Sequence, residues 1–520
     1  MLVHGETKQI VLNLRNPEMV TTVIPTARKF DLLDTPLVAV RHGLDEVKVL
    51  RNLGIDAPSP ILTQYDWPGR FTPFDHQRET AAFLTLNDKA FVLLDIGLGK
   101  TLAALWTFHY LKSIGKAKKM IVLASLSTLE RAWADEIFRN FFDLKFVVLH
   151  GSKARRIRLL EKVDHDIAII NHHGAKVILH ELIEAGYDVV CVDEIATFRN
   201  AQSGLWKALR SLCAPPHVKR IWGLTGKPTP NDPTDAWAQC RIIAPDRVPR
   251  YFNQFRAMVM QQVGPFAWLP RREAPEIVSK AMQPAIHHRR DDCLDLPPCL
   301  YITREVPMEK EQVQAYETMK RHMVIEAKEG KIIALNEGVK LSKLLQIACG
   351  AAYSDGTVVV YEPGLERRID EIELLASEAA GKVIVFVPFL SVLGEVAERL
   401  RKRGHFVEQV SGETSKTERD RIFGAFQAPV GPRILVAQPA AMSHGLTLTE
   451  ANTIIWYSAI TSNETYEQAN GRITRPGQKR NQLIVELEGS AAERHVFARL
   501  RRKQSMQGAL LELLLDTPHP

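Results

Sequence analysis

The chain has 520 residues, 45% of them apolar and 24% charged, and a formal net charge of +7. That length exceeds one ordinary core and implies two or more domains; no run of about 18 apolar residues exists to span a bilayer, and the opening MLVHGETKQI lacks the basic-then-apolar design of a secretory signal. Six cysteines without paired CxxC spacing argue against zinc or a disulfide framework and fit a reducing cytoplasm, while the modest positive balance leans toward an anionic partner such as nucleic acid.

Residues 1–70 read as a small separate α/β unit. Their eight Lys/Arg and eight Asp/Glu cancel, so nothing marks them as a DNA-binding arm, and an accessory role is expected. Residues 71–245 then alternate short apolar runs with helical stretches, the pattern of a parallel sheet covered by helices on both faces. The candidate strands are Phe91–Leu94, Ile121–Ala124, Val147–Leu149, Ile167–Ile170, Val189–Val192 and Ile221–Leu224.

The first of these strands runs into Asp95-Ile96-Gly97-Leu98-Gly99-Lys100-Thr101, and a helix opens at Leu102. Strand, glycine-rich turn and helix N-terminus together aim backbone N–H groups at phosphate oxygens. Gly97 and Gly99 let the backbone come close, with Leu98 and Leu102 in the same wrap. Lys100 neutralises the β and γ phosphates of a nucleoside triphosphate, and the Thr101 hydroxyl can ligate magnesium. The strict pattern places a glycine where this chain has Leu94. Further on, Val189–Val192 ends in Asp193-Glu194. After a phosphate loop, such an acid pair is placed for Asp193 to hold the metal and for Glu194 to accept the proton of an attacking water. The strand Ile221–Leu224 passes into Thr225-Gly226-Lys227-Pro228-Thr229-Pro230-Asn231, a tight polar turn whose position after the acids suits a sensor of nucleotide state.

A proline- and charge-rich stretch, 246–307, is the natural boundary, and an amphipathic helix follows near Lys310–Lys328. Residues 308–498 form a second alternating zone, with candidate strands Val383–Val387, Phe406–Val410, Ile434–Val436, Thr453–Trp456 and Leu483–Glu486. Near its end the run Gln468-Ala469-Asn470-Gly471-Arg472-Ile473-Thr474-Arg475 sets two arginines three residues apart, on one face of a helical turn. Arginine's planar, permanently charged fork suits stabilising a phosphoryl group in transit. The tail, 499–520, contains Ala509–Leu515, a short amphipathic helix expected to pack on the second domain.

Taken in order, PFDHQ (73–77), DIGLGKT (95–101), VDEIATFRN (192–200), LTGKPTPN (224–231), HGLTLTEANTIIWYS (444–458) and YEQANGRITRPGQ (466–478) resemble the ordered motifs of superfamily 2 helicase-like motors. The segment 287–317, together with MSHGLTLTEAN and RPGQKR, resembles the Snf2-like subfamily, and the compact length suggests a bacteriophage or bacterial member. The resemblance implies two tandem RecA-like domains, ATP and Mg2+ in the cleft between them, and DNA as the track. It implies that Gln77 reads the adenine edge and that Thr225 and Gly226 sense nucleotide state. Gln468, Arg472 and Arg475 would reach across the cleft, with Arg475 as the finger on the γ-phosphate. Gly445 and Leu446-Thr447 would link the DNA track to the nucleotide, and Ser125, Ser127, Thr128 and Trp133 lie where similar motors touch the backbone.

Trp133 reads as core rather than as a base-stacking platform. Basic clusters that could meet phosphates are Lys116/Lys118/Lys119, Lys153/Arg155/Arg156/Arg158, Arg271/Arg272, His287–Arg290 and Arg499/Arg501/Arg502/Lys503. The acid box reads Asp-Glu-Ile-Ala, so the histidine link to the third motif is missing, and Lys227 stands where a threonine is usual. The reading is a DNA-stimulated ATPase that translocates on or remodels duplex or branched DNA, with replication or recombination proteins as further partners. A strand-separating or branch-migrating helicase, a nucleotide-switched binding protein without turnover and an RNA motor are the alternatives.

Overall fold

The computed structural model describes residues 1–32, 35–126, 128–264, 268–293, 296–328, 334–354, 357–442 and 447–502. Ser127, Gly445, Leu446 and the Ala509–Leu515 segment lie outside them. The chain divides into two compact units, Met1–Cys293 and Leu294–Pro520, and the division falls inside the expected 246–307 boundary.

The first unit opens with strands β1 (Leu2–His4), β2 (Gln9–Asn13), β3 (Arg28–Leu32) and β4 (Thr35–Arg41), in the antiparallel order β1-β2-β4-β3. Alternation decides its inner face: Ile10, Leu12, Val38 and Val40 point inward and share a buried core with Val47 and Leu50 of the helix Leu44–Asn52. Ion pairs Lys48–Asp88 at 3.0 Å and Lys116–Asp45 at 2.6 Å, with Leu86 against the core, join this small sheet to the elements that follow.

Those elements are β5 (Lys89–Leu94), β6 (Met120–Ala124), β7 (Phe146–Leu149), β8 (Ile167–Asn171), β9 (Val189–Asp193) and β10 (Arg220–Thr225). A two-stranded ribbon follows, β11 (Met260–Gln262) with β12 (Trp268–Pro270), and then β13 (Ala285–His288). Seven of them make one parallel sheet in the order β13-β5-β10-β9-β6-β8-β7. Its central strands are buried along their whole length, which is why they read as unbroken apolar runs. All six predicted strands are present. The seventh, β13, comes from the stretch expected to be a connector and lies parallel beside β5 at the sheet edge.

The second unit contains β14 (Cys299–Glu305), a hairpin of β15 (Ala351–Ser354) and β16 (Thr357–Val360), then β17 (Lys382–Phe386), β18 (Val407–Val410), β19 (Ile434–Ala437), β20 (Ala451–Trp456) and β21 (Gln482–Glu488). Six strands form a parallel sheet in the order β14-β21-β20-β17-β19-β18. Alternate residues of β17 enter opposite cores: Ile384 and Phe386 pack with Leu344, Phe423 and Phe497, whereas Val383 and Val385 pack with Ile369, Val396 and Leu400. Helices therefore cover both faces, as the two-zone reading requires. One ion pair is fully enclosed here, Arg368 Nη2 to Glu493 Oε2 at 2.9 Å, with Ser458 Oγ, Ser490 Oγ and the Gly489 N–H completing the carboxylate's partners.

Candidate active site

In the first unit the site grows from the C-terminal ends of β5, β10 and β9, three neighbouring strands. After β5 the backbone turns through Gly97 (φ 93°) and Gly99 (φ 75°), both in the left-handed region that a side chain resists. Gly99 is the residue before the helix Lys100–Ser113, and a Cβ added there would collide with the Gln77 amide nitrogen. The glycine is thus required twice, by its angle and by its neighbour. Leu98 is buried, while Gly97, Lys100, Thr101 and Leu102 are half-buried at the helix start. The Lys100 ammonium folds over the loop, donating to the Leu94 carbonyl at 2.8 Å and to the Asp95 carbonyl at 3.4 Å.

Gln77 is buried and clamps that loop: Nε2 donates to the Leu98 carbonyl at 3.2 Å, and Oε1 accepts from the Phe74 N–H at 3.1 Å. His76 Nε2 reaches the same carbonyl at 3.0 Å, and burial pulls its pKa down. A further anchor comes from β13. The Asp95 N–H donates to the His288 carbonyl at 3.2 Å, and Asp95 Oδ2 accepts from the Arg290 N–H at 3.0 Å. Half of the basic cluster His287–Arg290 is thereby engaged in holding the phosphate loop.

The acid pair closes β9. Glu194 has φ 53° and ψ 57°, a left-handed conformation that costs a non-glycine residue about 1–2 kcal/mol. The strain turns its carboxylate toward β10, where Oε2 accepts from Thr225 Oγ1 at 3.1 Å; Thr225 Oγ1 in turn accepts from the Lys227 N–H at 3.1 Å. Beside it, a Cβ on Gly226 would stand 3.1 Å from the Leu94 carbonyl, so the turn after β10 presses directly on the end of β5. The rest of that turn is held from below, with the Asn231 N–H bonded to Asp235 Oδ2 at 2.9 Å and Gln239 Nε2 to the Pro228 carbonyl at 2.6 Å.

Asp193 is tied down by two residues whose roles the sequence did not disclose. Trp133, which is fully buried, donates Nε1–H to Asp193 Oδ2 at 3.0 Å, and His172 Nε2 lies 2.9 Å from the Asp193 carbonyl oxygen. Ser125 and Thr128 bond to each other through their hydroxyls at 3.0 Å and turn the chain into the π-helix Leu129–Ala134 that carries Trp133. Hard oxygen donors on Thr101 and Asp193 suit magnesium, which takes one or two protein ligands alongside phosphates and water.

In the second unit the helix Asn463–Asn470 ends at Gly471, so Arg472 and Arg475 lie in the turn beyond the helix and not on a continuing helical face. The cause is local: the Gly471 and Arg472 N–H groups cap the helix by bonding to Glu467 and Ala469 carbonyls. Arg472 is buried, 2% exposed, and its carbonyl accepts from the Leu448 N–H at 3.0 Å. Arg475 is half-buried; its Nε donates to the Gly471 carbonyl at 3.1 Å and its Nη1 to Thr447 Oγ1 at 3.2 Å. Burial brings its pKa down to about 10, which leaves it charged at neutral pH. Gln468 is buried and donates to Glu464 Oε1 at 3.2 Å.

Residues 76–350 match the family described as SNF2-related domain, and residues 366–477 match the helicase conserved C-terminal domain. Protein p41 of Acyrthosiphon pisum secondary endosymbiont phage 1 is 26% identical over 470 residues, covering 86% of this chain and 98% of the phage protein. The ISWI chromatin-remodeling complex ATPase ISW1 of Saccharomyces cerevisiae is 23% identical over 460 residues, covering 82% of this chain but 39% of that protein. Among solved structures, the Sulfolobus solfataricus SWI2/SNF2 ATPase core in complex with dsDNA aligns with a TM-score of 0.42 and 22% identity, covering 86% of this chain and 94% of that one.

Proposed function

We infer the function from one premise: the chain belongs to the SNF2-related family, as a helicase-like enzyme that hydrolyses ATP. On that premise it is a motor that couples ATP hydrolysis to translocation along duplex DNA. The geometry supports the following roles. The loop Gly97–Leu102 wraps the phosphates with its N–H groups, and Lys100 swings from the Leu94 carbonyl to the β and γ oxygens. Thr101 and Asp193 would hold Mg2+, which would supply positive charge to offset that of the phosphoryl oxygens. Glu194, with Thr225 on one carboxylate oxygen, orients the attacking water and takes its proton. Gln77 fastens the loop it touches and reads the adenine edge with its remaining amide capacity. Arg475 supplies the finger for the γ-phosphoryl charge, supported by Arg472 and Gln468.

One observation carries this reading. Lys100, Gly226 and Leu94 meet around a single carbonyl oxygen, while Thr225, next to Gly226, bonds Glu194. Phosphate loop, sensor turn and water-activating acid are thereby one connected structure at the ends of neighbouring strands. Exposed Lys153, Arg155 and Arg158 share a helix with Arg156, whose Nη2 bonds Asn171 Oδ1 at 3.2 Å at the end of β8, and offer charge to a polyanion; duplex DNA is taken as that polymer from the chromatin-remodeling ATPases among the relatives.

The test is phosphate release by the full chain with and without duplex DNA. Lys100→Ala is expected to lower turnover by about a hundredfold or more, as removal of one preorganised charge does elsewhere. Full turnover in that variant refutes the assignment, and stimulation by RNA in place of duplex DNA refutes the choice of polymer.

A further inference from the structure

We propose that Trp133 is a positioning residue that aims the Asp193 carboxylate and carries the state of the Ser125–Thr128 turn to it. The proposal rests on the reading of Asp193 as the metal-holding acid. An indole nitrogen can only donate, so the 3.0 Å contact between Trp133 Nε1 and Asp193 Oδ2 has one sense. It occupies one carboxylate oxygen with a neutral donor and fixes the carboxylate's rotation, leaving Oδ1 as the oxygen to meet a cation. A partner of this kind ordinarily sets how strongly a carboxylate binds metal.

The place of Trp133 in the chain supplies the coupling. It sits in the π-helix Leu129–Ala134, directly after the Ser125–Thr128 turn that closes β6, and β6 lies beside β9 in the sheet. π turns are rare and gather at functional sites. From the next strand, β8, His172 adds a bond to the Asp193 carbonyl, so both loops following these strands grip the same residue, one by its side chain and one by its main chain. The acid box has Ile195 and Ala196 where a histidine would otherwise reach the sensor turn, and Ile195 is fully buried in the core. The turn adjoins the basic face proposed for the polymer, since Ala124 pairs with Asn171, the partner of Arg156; a polymer that displaces the turn moves the indole, and the indole moves the acid.

The experiment measures binding and needs no turnover. A fluorescent, non-hydrolysable ATP analogue is titrated onto the full chain across magnesium concentrations, with and without duplex DNA. Trp133→Phe keeps an aromatic ring in the core but loses the pyrrole ring with its N–H; it is expected to raise the magnesium midpoint about tenfold, leave magnesium-free affinity unchanged, and abolish the effect of DNA on that midpoint. A folded Trp133→Phe protein with the parent's midpoint and DNA response overturns the proposal, provided Asp193→Ala loses the magnesium effect. If Asp193→Ala keeps the full effect, the metal role of Asp193 falls and the proposal falls with it. Fluorine NMR of the 5-fluorotryptophan-labelled chain tests the contact without altering Trp133. One indole resonance should shift on Asp193→Asn and on adding DNA, and no common resonance moving overturns the link.

Discussion

The hydroxyl of Thr225 is the smallest group in the proposed site, and it holds Glu194, the acid proposed to face a water. Thr225→Val keeps the shape and removes the donor to Glu194 Oε2. Single-turnover hydrolysis is expected to slow about tenfold, the worth of one hydrogen bond, with affinity for a non-hydrolysable analogue unchanged. A weakened affinity would instead assign Thr225 to binding. Residues of this sort were legible in the sequence wherever local spacing writes the chemistry: a glycine-lysine turn after an apolar run, or two acids at a strand end. Trp133 and His172 were not legible. Their partner Asp193 lies 60 and 21 positions away, and a buried aromatic ring in a helical segment reads as packing until its nitrogen is seen to have an address.

Strand β21 shows how an element can carry a charge it would rather not have. Glu486 points into the core with no exposed surface, bonded by Tyr466 OH at 2.6 Å and by Arg501 Nη1 at 2.8 Å, and burial lifts its carboxyl from 4.5 to about 7. The folded chain keeps this proton after the unfolded chain has released it. Stability should therefore decline as pH rises from about 4.5 to about 7, by about 3 kcal/mol. Glu486→Gln mimics the protonated form, so its unfolding temperature should exceed the parent's at pH 8 and match it at pH 5; scanning calorimetry at both pH values is the check. The inner strands of both sheets were foreseeable because burial on two faces leaves an unbroken apolar run. Of the edge strands, β7 and β18 kept enough apolar residues to be read, whereas β13 and β14 were not, because residues such as His287, Tyr301 and Arg304 dilute their pattern.

At the scale of the molecule, the fuel site is expected to need both units. Arg475→Ala should reduce hydrolysis about a thousandfold, the scale of an arginine finger, while the first unit still binds a nucleotide analogue with the parent's affinity. Unchanged hydrolysis would remove the second unit from the chemistry. The stretch 246–307 was read as a boundary, but its parts are divided: β13 completes the first sheet, and β14 completes the second by pairing along its whole length with β21. Only residues 289–298 run between those strands. A pull in line with β13 or β14 loads the first from its C-terminal end and the second from its N-terminal end, so either strand must slide lengthwise past its neighbour to come loose. Its ladder hydrogen bonds then share the load in shear and do not open one by one like a zipper, so the joint is spliced for pulling.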